Sequence, residues 1–175
     1  MSAVVRLRVA GLALAGLTYA LDQWLKHYVR HDLSLPEVGT IPVFPGLFNL
    51  HWTQNYGVSL GMFSGDSLEV KFGLIGLTGV IALAVFVWLL REREWPEIVG
   101  LGLVLGGAAG NIRDRLGYGY VVDYLDVYLG EFHPFVFNLA DAAITVGIAI
   151  VLARSFLSRE KRAEHDAVNH TATES

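Results

Sequence analysis

Residues 106–126 read GGAAGNIRDRLGYGYVVDYLD, and the way this stretch folds decides the rest of the chain. It opens as a Gly/Ala-rich apolar segment and ends in a cluster of charge. Asn111, Asp114 and Arg115 fall at i, i+3 and i+4, so a helix through them puts all three on one face. Asp123 and Asp126 follow a Gly-Tyr-Gly turn. The flanking segments are apolar enough for a bilayer, where ionisable groups are costly and mark a functional site by default. A second polar cluster, Asn138-Leu139-Ala140-Asp141, opens the last apolar run. Two carboxylates, Asp123 and Asp141, thus stand at the membrane boundary on separate elements, and we expect them to meet.

Outward from this stretch, 53% of the 175 residues are hydrophobic, and the mean hydropathy is +0.45. Crossing ~30 Å of hydrocarbon takes about 20 apolar residues. Four runs qualify, at 9–29, 68–90, 96–115 and 136–157. The expected fold is therefore an all-α membrane protein, one polytopic domain over 1–157 with four transmembrane helices and a polar, disordered tail over 158–175. The first run has the outline of a secretory signal peptide, but no convincing cleavage site follows and three more runs do, so it is expected to be retained. Gly102, Gly106 and Gly110 recur every fourth residue, the pattern of close helix packing, and Gly73, Gly76 and Gly79 suggest the same in the second run.

Between the first two runs, 31–66 contains Pro36, Pro42 and Pro45, which break helices. Phe48, Leu50 and Trp52 alternate with Asn49, His51 and Thr53, the period of a half-buried strand. Gly57, Gly61 and Gly65 suggest turns. We expect a small β-rich cradle on the membrane surface, its apolar residues resting on lipid or on a lipidic substrate. Residues 116–135 read as a loop carrying Asp123, Asp126, Glu131 and His133. Arg6, Arg8, Arg91, Arg93, Arg154, Arg159, Lys161 and Arg162 flank the runs on one side, whereas 31–70 and 116–135 contain no Lys or Arg. The positive-inside rule then makes both termini cytoplasmic and opens the carboxylate-bearing elements to the outer face.

Composition excludes several chemistries. The chain has no cysteine, hence no disulfide, thiol nucleophile or Cys metal site. His27, His31, His51 and His133 follow no metal-ligand spacing, so neither a metal nor a cofactor is expected. No Gly-x-Ser-x-Gly elbow occurs. No basic, aromatic stretch suits nucleic acid. Two close carboxylates, by contrast, share a proton, activate water and attack an amide. Asn111, Asn138 and Arg115 are candidates to orient them. Asp22 and Lys26, one turn apart, either join the site or form a lysine that snorkels beside its counter-charge. On the residues alone three readings stay open: an aspartic hydrolase, a structural network tying helix ends, and a proton-coupled transporter. The lack of an inverted repeat weighs against the transporter. Asp126 is the rival partner for Asp123.

Five blocks, taken together and in order, resemble bacterial lipoprotein signal peptidase, the signal peptidase II family. They are Asp22-Gln23-x-x-Lys26; Asn55-Tyr56-Gly57; Gly106-Gly107-Ala108-x-Gly110-Asn111-x-x-Asp114-Arg115; Val121-Val122-Asp123-Tyr124; and Phe137-Asn138-x-Ala140-Asp141-x-x-Ile144. The resemblance implies four membrane helices, an extracytoplasmic β cradle and a catalytic aspartate pair at Asp123 and Asp141. The family's other motif positions fall on Asp22, Lys26, Asn55, Gly110, Asn111, Asp114, Arg115, Asn138 and Ala140. It further implies a diacylglyceryl-modified prolipoprotein as substrate, cut before the lipidated cysteine, and a monomer in contact with lipid in the bacterial inner membrane. Two departures from the family pattern stand out: Val58-Ser59-Leu60 after the Asn55 block, and the charged Arg113.

Overall fold

The computed structural model describes residues 2–57 and 68–173, with side chains over 2–57 and 71–157. Helix α1 (Ala3–His27) starts at Ser2, whose hydroxyl accepts from the Val5 N–H, and closes in a π-helical turn over Tyr28–Asp32. A single-turn α2 (Leu35–Val38), β1 (Thr40–Phe44) and β2 (Phe48–Asn55) follow. After them come α3 (Leu68–Arg91), α4 (Trp95–Gly117), β3 (Val121–Leu129), β4 (Phe132–Phe137) and α5 (Leu139–Thr173). Among the described residues three helical spans are long and apolar enough to cross a membrane: Ala3–Asp32, Lys71–Arg91 and Leu139–Leu157.

Helix α4 is the hub, packed on α1, α3 and α5. Apolar side chains gain little from meeting one another in lipid, so close backbone approach has to supply the packing. The glycines of α4 supply it on two sides. A Cβ on Gly102 would meet the Gly11 carbonyl of α1 at 2.7 Å, and one on Gly100 would meet the Gly147 carbonyl of α5 at 2.7 Å. Gly73, Gly76 and Gly79 of α3 differ from the sequence expectation: a Cβ on each meets nothing within 4 Å. They lie on open flanks of a helix whose main neighbour is α4 alone. The α3–α4 turn is held by Glu92, whose carboxylate accepts from the backbone N–H of Arg93 (2.7 Å) and Glu94 (3.1 Å). Partial burial pushes that carboxyl up, but these donors outweigh it and leave it below the usual range.

The strands form one antiparallel sheet in the order β1-β2-β3-β4. Residues 116–135, expected as a loop, instead contain β3 and the start of β4. Val121–Leu129 is rich in β-branched and aromatic residues, and its partner β2 lies some seventy positions upstream, where local reading does not reach. The fourth apolar run begins later than 136, because Val136 and Phe137 belong to β4 and helix α5 starts at Leu139. Leu50 and Trp52 pack, partly buried, against Val29, Leu35, Val122 and Tyr124, the buried cluster under the sheet, while Val43, Phe44 and Leu47 stay exposed. Helix α5 runs on to Thr173 where a disordered tail was expected. That segment holds strong helix formers and no Pro or Gly, so propagation is favoured once the apolar part has nucleated it. Gly61, Gly65 and the Val58-Ser59-Leu60 departure lie outside the described residues.

Candidate active site

Asp123 sits in β3 opposite Thr53 of β2, beside a bulge between Leu50 and Thr53. The bulge shifts register by one residue and re-aims the end of β2. Asn55 there donates its amide to Asp123 Oδ2 at 2.9 Å. Asn55 is itself fixed by a turn, its Oδ1 accepting from the Gly57 N–H at 2.7 Å; Gly57 has φ +83°, a conformation suited to glycine. Asp141 arrives differently. Asn138 caps α5, its Oδ1 accepting from the Asp141 N–H at 2.9 Å, while Asp141 Oδ2 accepts from the Asn138 N–H at 3.3 Å. This is a capping box with Asp in the usual Glu position, so a site carboxylate is also part of the helix start.

One amide ties the two carboxylates together. Asn138 Nδ2 donates to Asp123 Oδ1 at 2.7 Å and to the Val122 carbonyl at 3.2 Å. Asn111 of α4 donates to Asp141 Oδ1 at 2.8 Å, and its own oxygen lies 3.3 Å from Asn138 Nδ2. The two carboxylates are thus linked through a frame of three asparagines from three parts of the chain. Asp123 is 1% exposed. Burial pushes its carboxyl from 3.8 up to about 6; the charge of Asp141 pushes the same way, and the Asn55 and Asn138 amides oppose.

A second cluster lies behind this frame. Lys26 Nζ is 2.7 Å from Asp22 Oδ2 and 2.8 Å from Asp114 Oδ2, with all three side chains at most 3% exposed. Lys26 therefore does not snorkel to the surface. The remaining carboxylate oxygens are also satisfied. Asp22 Oδ1 accepts from the Ala140 N–H (3.0 Å), Asp114 Oδ1 accepts from Gln23 (3.0 Å), and Asp114 Oδ2 accepts in addition from the Val122 N–H (3.2 Å). Gly110 makes room for this network, since a Cβ there would stand 2.5 Å from Asp22 Oδ2. Gln23 was visible in the first sequence block but carried no assigned role; its side-chain amide joins Asp22, Asp114 and the Gly110 carbonyl.

The remaining candidates separate from the site. Arg115 lies near enough to Asp141, Asp123 and Asp114 to feel their charges, yet it makes no ion pair among the described residues, and its buried Nε has no partner. Asp126, the rival partner, is three positions from Asp123 in an unbulged part of β3 and so projects from the opposite face of the strand. There it contacts His133 Nδ1 at 2.9 Å and accepts from Asn49 Nδ2 at 3.4 Å. No group of three His, Cys, Asp or Glu able to hold a metal occurs among the described residues.

The family model described as signal peptidase (SPase) II matches residues 14–157. The lipoprotein signal peptidase of Sphingopyxis alaskensis is 43% identical over 158 residues, covering 90% of this chain and 91% of that protein. That of Rhizorhabdus wittichii is 42% identical, covering 93% and 94%. The Caulobacter vibrioides protein of the same name is 39% identical, covering 87% and 90%. A solved bacterial membrane enzyme shares the fold with a TM-score of 0.73 at 24% identity, over 87% of this chain and 90% of that one. Given a family match across most of the chain and relatives that align nearly end to end, this chain belongs to the signal peptidase II family.

Proposed function

We propose that this membrane peptidase removes the signal peptide from diacylglyceryl-modified prolipoproteins, with Asp123 and Asp141 as an aspartic dyad. The observation that carries the reading is the asparagine frame, which holds two carboxylates from separate elements toward one another with no cation paired to either among the described residues. Asp123, pushed up to about 6, is the carboxyl that holds the proton. Asp141, whose oxygens accept from Asn111 and the Asn138 N–H, is the carboxylate that takes a proton from water. The hydroxide equivalent attacks the carbonyl carbon of the bond before the lipidated cysteine. Asp123 donates its proton to the carbonyl oxygen, giving a gem-diol; on collapse the C–N bond breaks as the proton gained by Asp141 passes to the leaving nitrogen, and one diol proton returns to Asp123. The Arg115 guanidinium, close enough to Asp123 and Asp141 to feel their charges, is a donor for a backbone carbonyl of the bound peptide.

Helix α4 is, in this reading, the fourth membrane span. Its buried polar residues, Asn111 and Asp114, face the network and its glycines face α1 and α5, while Glu97 and Arg113 stand near its two ends. Both termini and the tail from 158 onward are cytoplasmic, and the sheet lies at the outer face, in accord with the positions of Arg and Lys. The scissile bond of a lipid-anchored precursor then reaches the dyad without extraction of the lipid. The test is cleavage of one precursor, lipidated and unlipidated, by wild type, Asp123→Asn and Asp141→Asn in detergent. We expect each variant to stay folded and lose at least about 10³-fold in rate, as removal of a group acting in the transition state does. The unlipidated precursor should be cut far more slowly, since each buried CH₂ contributes ~0.8 kcal/mol. Substantial activity in either variant would remove that residue from the dyad.

A further inference from the structure

Three basic side chains gather where three helices end on the side of the sheet. Arg30 lies in the π-helical turn that closes α1, Arg113 in the last two turns of α4, and Lys71 in the first turn of α3. The Arg30 guanidinium carbon is 4.5 Å from the centroid of the Tyr118 ring, and that of Arg113 is 5.3 Å from the same ring. Tyr118 stacks on Tyr120 at 5.9 Å, and Tyr120 meets Tyr56 at 5.6 Å. Lys71 Nζ lies 3.6 Å from the point a Cβ on Gly119 would occupy, one residue from Tyr118. None of the three cations forms an ion pair among the described residues, and Arg30 Nη1 is buried without a partner.

Helix dipoles account for Arg30 and Arg113, which stand at C-terminal ends, but not for Lys71, which stands at an N-terminal end where a cation is disfavoured. The ring attracts each guanidinium weakly, while the two guanidiniums repel one another. Among the described residues the cluster lacks an anion. Its position suggests which kind: the apolar span containing Arg30 ends at Asp32, and Lys71 lies in the first turn of α3, so the cluster stands at the sheet-side ends of these helices, where lipid headgroups would lie. Guanidinium forks match phosphate oxygens, and tyrosine rings favour the same interfacial layer.

We propose that Arg30, Arg113 and Lys71, arranged around Tyr118, bind the phosphate of an anionic phospholipid in the leaflet on the side of the sheet. The charged Arg113, out of place in the family pattern, is then a ligand-binding residue. The site is separate from the diacylglyceryl group of the substrate, which carries no phosphate, and from the carboxylate frame.

The experiment is native mass spectrometry of the full-length protein with phosphatidylglycerol, phosphatidylcholine or inorganic phosphate. Wild type should retain phosphatidylglycerol in preference to phosphatidylcholine, and the preference should weaken as salt is raised. Arg30→Gln and Arg113→Gln should each lower phosphatidylglycerol retention about fivefold, and the double variant should lose the preference. Arg93→Gln, in the turn at the opposite end of α4, should leave it intact. Equal retention of the two lipids by wild type, a preference unchanged by salt, or one unchanged in the double variant would overturn the proposal. Displacement of phosphatidylglycerol by millimolar inorganic phosphate would overturn the lipid assignment in favour of free phosphate. Retention is read without any cleavage, so failure of the dyad would not be confused with failure of the lipid site.

Discussion

Two pairs of carboxylates lie side by side in this protein and are held in opposite ways. Asp22 and Asp114 share one ammonium, that of Lys26, and their other oxygens are taken by amides. Asp123 and Asp141 have only asparagine amides and a backbone N–H. Both sets are carried by elements that pack on one another, and Asn111 touches each: its oxygen is 3.3 Å from Lys26 Nζ and its nitrogen 2.8 Å from Asp141. The difference teaches what each pair is for. A cation between two carboxylates fixes their charge and joins helices. Neutral amides fix position while leaving a proton free to move.

The comparison breaks most visibly at Lys26. Lys26→Met leaves two buried carboxylates without a counter-charge, a loss of about 3–5 kcal/mol. Thermal unfolding in detergent should show a large drop in melting temperature, with activity lost through unfolding. A variant as stable as wild type would mean the cation is not what holds α1 to α4. Asp123→Asn should act in the reverse direction. A carboxyl at about 6 in the folded protein against an ordinary 3.8 holds its proton more tightly than in the unfolded chain. Its buried charge therefore costs stability above pH 6, and the cost fades as pH falls toward 4. Removing the charge should raise stability at pH 8 by on the order of 3 kcal/mol and confer no gain near pH 4. A gain that persists at pH 4 would have another origin.

Rate against pH sharpens the same contrast. Cleavage should decline about tenfold per pH unit once Asp123 loses its proton, on the alkaline side of about 6. Arg115→Gln removes a nearby cation that favours ionisation, so the alkaline limb should move upward by roughly half a unit to one unit. A limb that stays in place would leave Arg115 a role in holding peptide and none in setting the proton. The smallest effect is expected from Asp126→Asn. It weakens the contact with His133 on the other face of β3, for about 1 kcal/mol of stability, with rates within a few-fold of wild type. A loss of rate equal to that of Asp123→Asn would contradict the face assignment.

What could be read in advance followed the range of the forces involved. Helices and their small-residue seams depend on spacing within one segment, and Gly102, Gly106 and Gly110 announced theirs. The carboxylate pair was legible because charge in an apolar chain has few explanations. The β3–β4 hairpin was not, since β3 is interrupted by Asp123 and Asp126, β4 carries Pro134, and its partner β2 is remote in sequence. Lys26 remained ambiguous because a lysine near a helix end reads the same whether it reaches outward or inward; only Asp114, 88 positions on, decides it. The basic cluster around Tyr118 had no sequence signal beyond the misplaced charge of Arg113.

The bond from the Ala140 N–H to Asp22 joins residues 118 positions apart, the first long helix to the last. A chain leaves the ribosome from its N-terminus, so Asp22 enters the membrane long before its acceptor role can be filled. Until the start of α5 arrives, Asp22 and Lys26 wait without Ala140, Asn111 has no Asp141 and Asp123 has no Asn138. This polar network is thus completed only once the start of α5 has been made. A chain that stops before Leu139 has α1, α3, α4 and the sheet, yet lacks the Ala140 N–H and the Asp141 carboxylate that close the network.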